Sequence, residues 1–255
     1  MSNIKTIVMK FGGTSVATES ARELMMKHIA REVADGFKVL VVVSAMGRLG
    51  APYATDSLKS LVSTKISPQE ADRLLSCGEI ISSIVISNLA SQSGLVATSL
   101  APGELGITTD DNYQDAGIMI VDTGEILVKF TEYDVLVGPG FIGVSEDGFI
   151  TTLGRGGSDT SAIALGASLG AEFVDIYSDV AGVMTADPKT NTTANLISEM
   201  SYDDLVDLAE AGAKIIHLKA IKLARDCEVN MRFRSTFEDF VGTTITKNNR
   251  GLLNE

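Results

Sequence analysis

Two cysteines and two histidines are all that 255 residues contain of the usual soft metal ligands. Cys77 and Cys227 lie far apart, without partners at metal-ligand spacing, and His28 and His217 do not complete a zinc set. No metal ligand is assigned, and both thiols read as free and buried. Long apolar runs are also missing. The longest are broken by Ser, Gly or charge before reaching the length of a bilayer span. The opening MSNIKTIVMKFGG enters an apolar strand at once and lacks a cleavable secretory layout, so a cytoplasmic chain without a membrane partner is expected. Positive charge is scarce as well. The 21 Lys and Arg face 33 Asp and Glu, a net charge of −12 that argues against nucleic acid. An anionic ligand would require the few cations to be gathered locally.

Apolar residues make up 45% and charged residues 21%, the balance of an ordinary globular protein able to bury a substantial core. Along the chain, β-rich runs alternate with helical patterns. IKTIVMKF reads as a strand, followed by a Gly-Gly turn and a helix from about Thr18 to Asp35. KVLVVVSAM is apolar almost throughout, as in a parallel strand buried on both faces. A polar loop from Gly47 to Asp56 precedes a long helix from about Pro68 to Ala90, stopped near Gly94. LVATSL, YDVLVGPGFIGVSEDGFITT, FVDIYSDV, VNMRFRST and GTTIT supply further strands, one with a hairpin at Glu146-Asp147-Gly148. Helices are expected from Gly156-Gly157 to near Gly170, over YDDLVDLAEAG and over KIIHLKAIKLARDC. This rhythm predicts an α/β fold, a largely parallel sheet covered by helices on both faces.

Ligands of such sheets bind beyond the carboxyl ends of the strands. In MKFGGTSV, Lys10 ends a strand and Gly12-Gly13 leads to a helix. Glycines admit a close approach of backbone N–H groups to phosphate, although a Gly-Gly pair alone is first of all a tight turn. Neither a Walker A loop nor a dinucleotide fingerprint is present. TTLGRGGSDTSA is more specific. Gly156-Gly157 offers a second anion nest, Ser158 can cap the helix, and Asp159 falls in its first turn. Arg155 suits bidentate carboxylate or phosphate recognition. Glu79 sits in a helix apolar on most sides and needs either a structural ion-pair partner or a ligand. In YSDVAGVMTADPKT, Asp179 follows a strand, and Asp187-Pro188 reads as turn punctuation as much as ligand. Two glycine-rich cradles, a strand-end lysine and a helix-start aspartate form a set suited to phosphoryl transfer.

The segments KFGGTSVA, VVVSAMG, LLSCGE, GITTD, TTLGRGGSDTSA, SDVAGVMTADP and GAK resemble, in order, the signature segments of aspartokinases. The resemblance runs from about Ile4 to Thr246. It implies a three-layer α/β/α sandwich, the amino-acid kinase fold, in a single catalytic domain spanning 1–255. The acceptor-binding half would be about 1–150 and the nucleotide-binding half about 151–246. The implied activity is phosphorylation of the aspartate side chain by ATP with Mg²⁺. Carried over by position, Lys10 stabilises the transferring phosphoryl group, Asp159 organises Lys10, and Gly12, Gly13 and Ser15 line the phosphate path with Gly156 and Gly157. Ser44, Thr55, Glu79, Arg155 and Ser158 match amino-acid-binding positions; Arg155 would hold the α-carboxylate and Glu79 the ammonium. Ser178, Asp179, Met184, Lys189 and Lys214 match nucleotide-side positions. The partners implied are small molecules, with a homodimer formed through helices at one edge.

Departures from the pattern set the alternatives. Aspartokinases continue into paired ACT domains, whereas this sequence stops at Glu255, so regulation by lysine or threonine through such domains is not expected. Ala101-Pro102 replaces a familiar Thr-Gly on the acceptor side, His217-Leu218 replaces His-Pro, and Met184 replaces a Tyr. A related amino-acid or carboxylate kinase with another acceptor is one alternative, and a non-catalytic nucleotide- or amino-acid-binding subunit the other. The joint presence of Lys10 and Asp159 weighs against the latter.

Overall fold

Alternation along the first strand sets the layers. A computed structural model describes residues 4–185, 193–213 and 215–246, and in it β1 (Thr6–Phe11) is buried along its whole length. Ile7, Met9 and Phe11 point into one apolar cluster and Val8 into another. With a period of two, Lys10 shares the face of Val8.

After β1 come α1 (Glu19–Ala34), β2 (Lys38–Val43), α2 (Thr55–Lys59), α3 (Pro68–Gln92) and β3 (Ala97–Ser99). A 3-10 turn at Pro102–Leu105 leads to β4 (Ile107–Thr109), β5 (Ile118–Val121), α4 (Gly124–Lys129), β6 (Val135–Pro139), β7 (Ile142–Ser145) and β8 (Ile150–Thr152). Then follow α5 (Gly157–Leu169), β9 (Val174–Ser178), β10 (Glu199–Met200), α6 (Tyr202–Glu210), α7 (Leu218–Asp226), β11 (Met231–Ser235) and β12 (Val241–Ile245). Local chemistry starts the long helices where the sequence predicts. Thr18 accepts from the Ala21 amide ahead of α1, and Ser67 accepts from Glu70 ahead of α3, whose first residue is Pro68.

Eight strands form one sheet in the order β10-β12-β11-β9-β1-β2-β6-β3, parallel at every pairing except β11 with β12. Helices α1 and α3 cover one face through Met25, Met26, Ile29, Ile86 and Ala90. Helices α5, α6 and α7 cover the other through Ile163, Leu165, Leu205, Val206, Ile221 and Ala224. This is the three-layer α/β/α sandwich expected. A smaller sheet, β5-β4-β7-β8, stands beside it; its β7–β8 pair is the hairpin expected at Glu146-Asp147-Gly148, whereas β4 and β5, only three and four residues long, were not foreseen.

Four further expectations are corrected. The Gly47–Asp56 loop ends early, because α2 begins at Thr55. The LVATSL strand shrinks to Ala97–Ser99 at the sheet edge. Both cysteines are exposed: Cys77 lies on the outward side of α3 and Cys227 just past the end of α7. Helix α3 is in fact long and apolar enough, by length and composition, to cross a membrane, yet half of its apolar window is buried within the fold. Its buried side is built from Ser76, Gly78, Ser82, Ser83 and Ser87, while Ile84 is exposed. Small side chains let the helix lie close on β6 and β3, with Ile86 packed into the same interface.

Helix α5 is buried on nearly all sides and has no amphipathic face. It also sits hard on the sheet. A Cβ at Gly166 would lie 2.2 Å from Val174 Cγ2, on a stiff β-branched side chain in β9. Gly166→Val is therefore expected to lower folding stability by about 1–3 kcal/mol, measured by urea or thermal melting. An unchanged midpoint would show that α5 is not seated directly on β9.

Candidate active site

The parallel strands β1, β2 and β9 end together, and their loops carry the residues singled out above. Gly12 N–H donates to Tyr177 O (3.4 Å) and Ser44 N–H to Phe11 O (3.1 Å), so the three loops are stitched side by side. The turn after β1 fits against the turn after β2, with Gly47 N–H donating to Gly13 O at 2.9 Å. A Cβ on Gly13 would fall 2.6 Å from Gly47 O and 2.8 Å from Ala45 O, so only glycine allows this approach. Ser15 turns inward instead of lining an open path. It is fully buried and accepts a hydrogen bond from Thr236 Oγ1 at 2.7 Å.

Lys10 Nζ lies 2.6 Å from Asp159 Oδ1, and both side chains are about nine-tenths buried. The pair joins the end of β1 to the first turn of α5. Gly156 precedes that helix in the left-handed region, φ 73°, where a Cβ would collide with His217 Cβ at 2.2 Å. Gly156, not Ser158, therefore holds the cap position, because the left-handed turn brings the helix in one residue before the serine. No side chain caps α5, which leaves its first-turn amides and positive dipole end for an anion. Ser158 lies within the first turn and accepts from Ser44 Oγ at 3.1 Å.

On the other side of this turn stands Glu79, 2% exposed. Its Oε1 accepts from Ala45 N–H at 3.2 Å, while Oε2 is buried without a hydrogen-bond partner among the described residues. Burial pushes the carboxyl up to about 8, opposed in part by the Ala45 amide and by the neighbouring Thr55 side chain. Thr55 is near because the 53–55 segment crosses α3 at Gly78, where a Cβ would lie 2.6 Å from Tyr53 O. Arg155 is exposed and forms no ion pair with the described residues.

The nucleotide-side positions are more dispersed. Ser178 ends β9 and accepts from Val180 N–H at 3.2 Å. Asp179 is exposed and pairs with Arg48 at 3.3 Å, across from the turn after β2. Met184 is half-buried in a short bridge with Leu196. Lys189, Lys214 and the Asp187-Pro188 turn lie outside the described residues. The structure thus brings together Lys10, Gly12, Gly13, Ser44, Thr55, Glu79, Ser158 and Asp159, and keeps Ser15 beneath them.

Several contributors escaped sequence reasoning. Arg48 and His217 lay in segments read for other features. Asp72 lies on the buried side of α3, and a carboxylate two turns before Glu79 on the same face was a usable signal. The 3-10 turn that holds Pro102 is braced internally, with Ala101 N–H donating to Glu104 Oε2 at 2.7 Å and Glu104 paired with Lys129 at 3.1 Å.

Comparison with known proteins agrees with this geometry. Residues 5–235 match the Amino acid kinase family. Aspartokinase 1 of Bacillus subtilis is 45% identical over 246 residues, which cover 95% of this chain and 61% of that protein. The aspartokinase of Geobacillus stearothermophilus is 43% identical over 242 residues, 94% of this chain and 58% of that one. The chain therefore spans less than two thirds of the length of these relatives. An aspartate kinase from Synechocystis superposes with a TM-score of 0.83 at 37% identity, covering 97% of this chain and 41% of that one. E. coli aspartokinase III in complex with aspartate and ADP shares the fold, with a TM-score of 0.82 at 24% identity over 96% of this chain and 65% of that one. On fold, loop geometry and sequence together, this chain belongs to the amino acid kinase family.

Proposed function

We propose that the chain catalyses transfer of the γ-phosphoryl group of ATP to the side-chain carboxylate of L-aspartate, giving 4-phospho-L-aspartate and ADP. The observation that carries the reading is the buried Lys10–Asp159 pair, set between two glycine turns at the strand ends. The aspartate and ADP held by the E. coli enzyme of the same fold are in keeping with these two substrates. We assign the acceptor to the 1–150 half and the nucleotide to the 151–246 half of one catalytic domain. The protein would act in the cytoplasm, as a homodimer.

In this mechanism an oxygen of the acceptor carboxylate attacks the γ-phosphorus as the bond to the β–γ bridging oxygen breaks and ADP departs. The attacking carboxylate is ionised at neutral pH, so no strong general base is needed. Lys10 neutralises charge on the equatorial oxygens, and Asp159 holds its ammonium in place. The amides of Gly12, Gly13 and the first turn of α5 receive phosphate oxygens. Ser178, Asp179, Met184, Lys189 and Lys214 are assigned to the nucleotide, and Gly156 and Gly157 keep the second turn open. Glu79 receives the substrate ammonium, and Arg155 the α-carboxylate, with Ser44, Thr55 and Ser158 around them. Ser15 acts from below by holding the first glycine turn. Mg²⁺ accompanies ATP in such transfers and offsets phosphate charge. Among the described residues no three His, Cys, Asp or Glu side chains converge on a metal, so the ion fits here through the nucleotide phosphates, and no step depends on a protein cage.

Two outcomes are expected. With ATP, Mg²⁺ and hydroxylamine, aspartate should drive ADP release and yield a trapped hydroxamate, and Lys10→Ala should lower turnover by about a hundredfold or more. Equal, low ADP release by both proteins would contradict the kinase assignment.

The second concerns protons. An empty Glu79 that titrates near 8 is mostly protonated at pH 7, and an ammonium against it favours the charged form. Calorimetry in two buffers of different ionisation enthalpy should therefore show release of close to one proton on aspartate binding at pH 7, lost in Glu79→Gln. Without ligand the sign is fixed as well. A carboxyl raised from 4.5 to about 8 stabilises the fold fully below its unfolded value and loses that contribution as pH climbs to about 8. Glu79→Gln should flatten that part of the stability profile. No proton release by the wild type would separate Glu79 from the ammonium.

A further inference from the structure

Asp72 is fully buried on α3, and its carboxylate collects three donors. Oδ2 accepts from Thr152 N–H at 2.8 Å and from Gln114 N–H at 3.0 Å, while Oδ1 accepts from Thr152 Oγ1 at 2.8 Å. Burial raises the carboxyl, and these three bonds oppose the rise. Neither donor residue lies in the site itself, but both lead to it. Thr152 ends β8, three residues before Arg155. Gln114, held at φ 72°, precedes Asp115, and a Cβ at Gly154 would touch Asp115 Oδ1 at 2.4 Å. The Thr152 carbonyl also accepts from Ala116 N–H at 2.9 Å. The turn that presents Arg155 is thus held from both sides by segments bonded to one carboxylate.

That carboxylate stands seven residues before Glu79, on the same buried face of one helix. The two proposed handles for an α-amino acid come from different parts of the chain. Glu79 for the ammonium is on α3, and Arg155 for the carboxylate is on the turn after β8. We infer that Asp72 is a positioning residue for the acceptor, fixing the separation of Arg155 from Glu79 by tying the β8 turn to α3; this rests on the acceptor assignment proposed above. The carboxylate receives both backbone N–H groups on Oδ2 and the Thr152 hydroxyl on Oδ1, whereas an alanine would leave all three donors without it. Arg155 is exposed and has no ion-pair partner among the described residues, so its placement rests on this backbone tie.

The test is a double-mutant cycle read by steady-state kinetics, with aspartate and ATP varied separately and melting temperatures recorded. Asp72→Ala is expected to raise the aspartate KM by about tenfold to a hundredfold while the ATP KM stays within about twofold. In an Arg155→Ala background the same substitution should add little further, because the group it positions is gone. Thr152→Val removes only the hydroxyl donor and covers the case in which Asp72→Ala does not fold. It should shift the aspartate KM in the same direction by less, and Thr152→Ser by less still. If Asp72→Ala raises both KM values alike, or its effect multiplies with that of Arg155→Ala, the positioning role is overturned. If Arg155→Ala raises the aspartate KM and the Asp72 and Thr152 variants do not, this inference alone fails. If Arg155→Ala turns over with an unchanged aspartate KM, the acceptor assignment fails and takes the inference with it.

Discussion

The Lys10–Asp159 contact is the interaction on which the rest of the site depends. It joins the central strand to the most deeply buried helix, at the point where two glycine turns leave the sheet. A largely buried ion pair is a poor source of net stability, since desolvation offsets much of the attraction. Its value here is placement. Strand alternation sends Lys10 to the α5 side of the sheet, and the left-handed Gly156 starts α5 so that Asp159 falls in its first turn. In the proposed transfer, an ammonium anchored in this way would meet a phosphate without reorganising during reaction, where fixed charges lower a barrier most. Gly13 matters for the same reason, because a side chain there would collide with the Gly47 and Ala45 carbonyls and part the turn after β1 from the turn after β2.

Around this pair the fold holds polar groups at a cost met by the core. Glu79 keeps one oxygen without a partner and an elevated pKa, which disfavours its charged form until a cation arrives. The opposing gain comes from the two apolar layers, where each fully buried Val, Ile or Leu contributes roughly 1.5–3 kcal/mol. A second charged cluster braces β9 and β11. Asp175 on β9 meets Arg232 at 2.6 Å and Arg234 at 3.3 Å on β11, and Glu32 of α1 reaches the same two arginines. Tyr177 stacks on Phe11 with ring centroids 4.4 Å apart, which ties β9 to β1 just below Gly12. The site is therefore framed on strand ends, where the turns after β1 and β2 are hydrogen-bonded to each other and the end of β1 to that of β9.

Much of this order was legible in the residues. Apolar runs such as KVLVVV marked parallel strands buried on both faces, and the helix starts near Thr18 and Pro68 were legible too. Other features had no local signal. Lys10 and Asp159 are distant in sequence, so only the resemblance of their surrounding motifs paired them. The β4–β5 half of the small sheet was missed because strands as short as Ile107–Thr109 are too short for alternation to register. Cys77 was misread because cysteine is often buried, whereas α3 turns its serines and glycine to the sheet. Ser158 was misread as a cap because the cap depends on the backbone of Gly156, which composition does not report. Asp72 was overlooked because a carboxylate near a helix start reads as solvated until its three donors are seen.

The most direct test of the central claim is a crystal structure of the protein with a non-hydrolysable ATP analogue, Mg²⁺ and aspartate bound together. The account predicts the terminal phosphate within hydrogen-bond distance of Lys10 Nζ, with Asp159 still holding that ammonium. The aspartate side-chain carboxylate should face the γ-phosphorus in line with the bridging oxygen, and its ammonium should rest on Glu79. A terminal phosphate bound away from Lys10, or an aspartate bound with its side chain pointing away from the nucleotide, would contradict it.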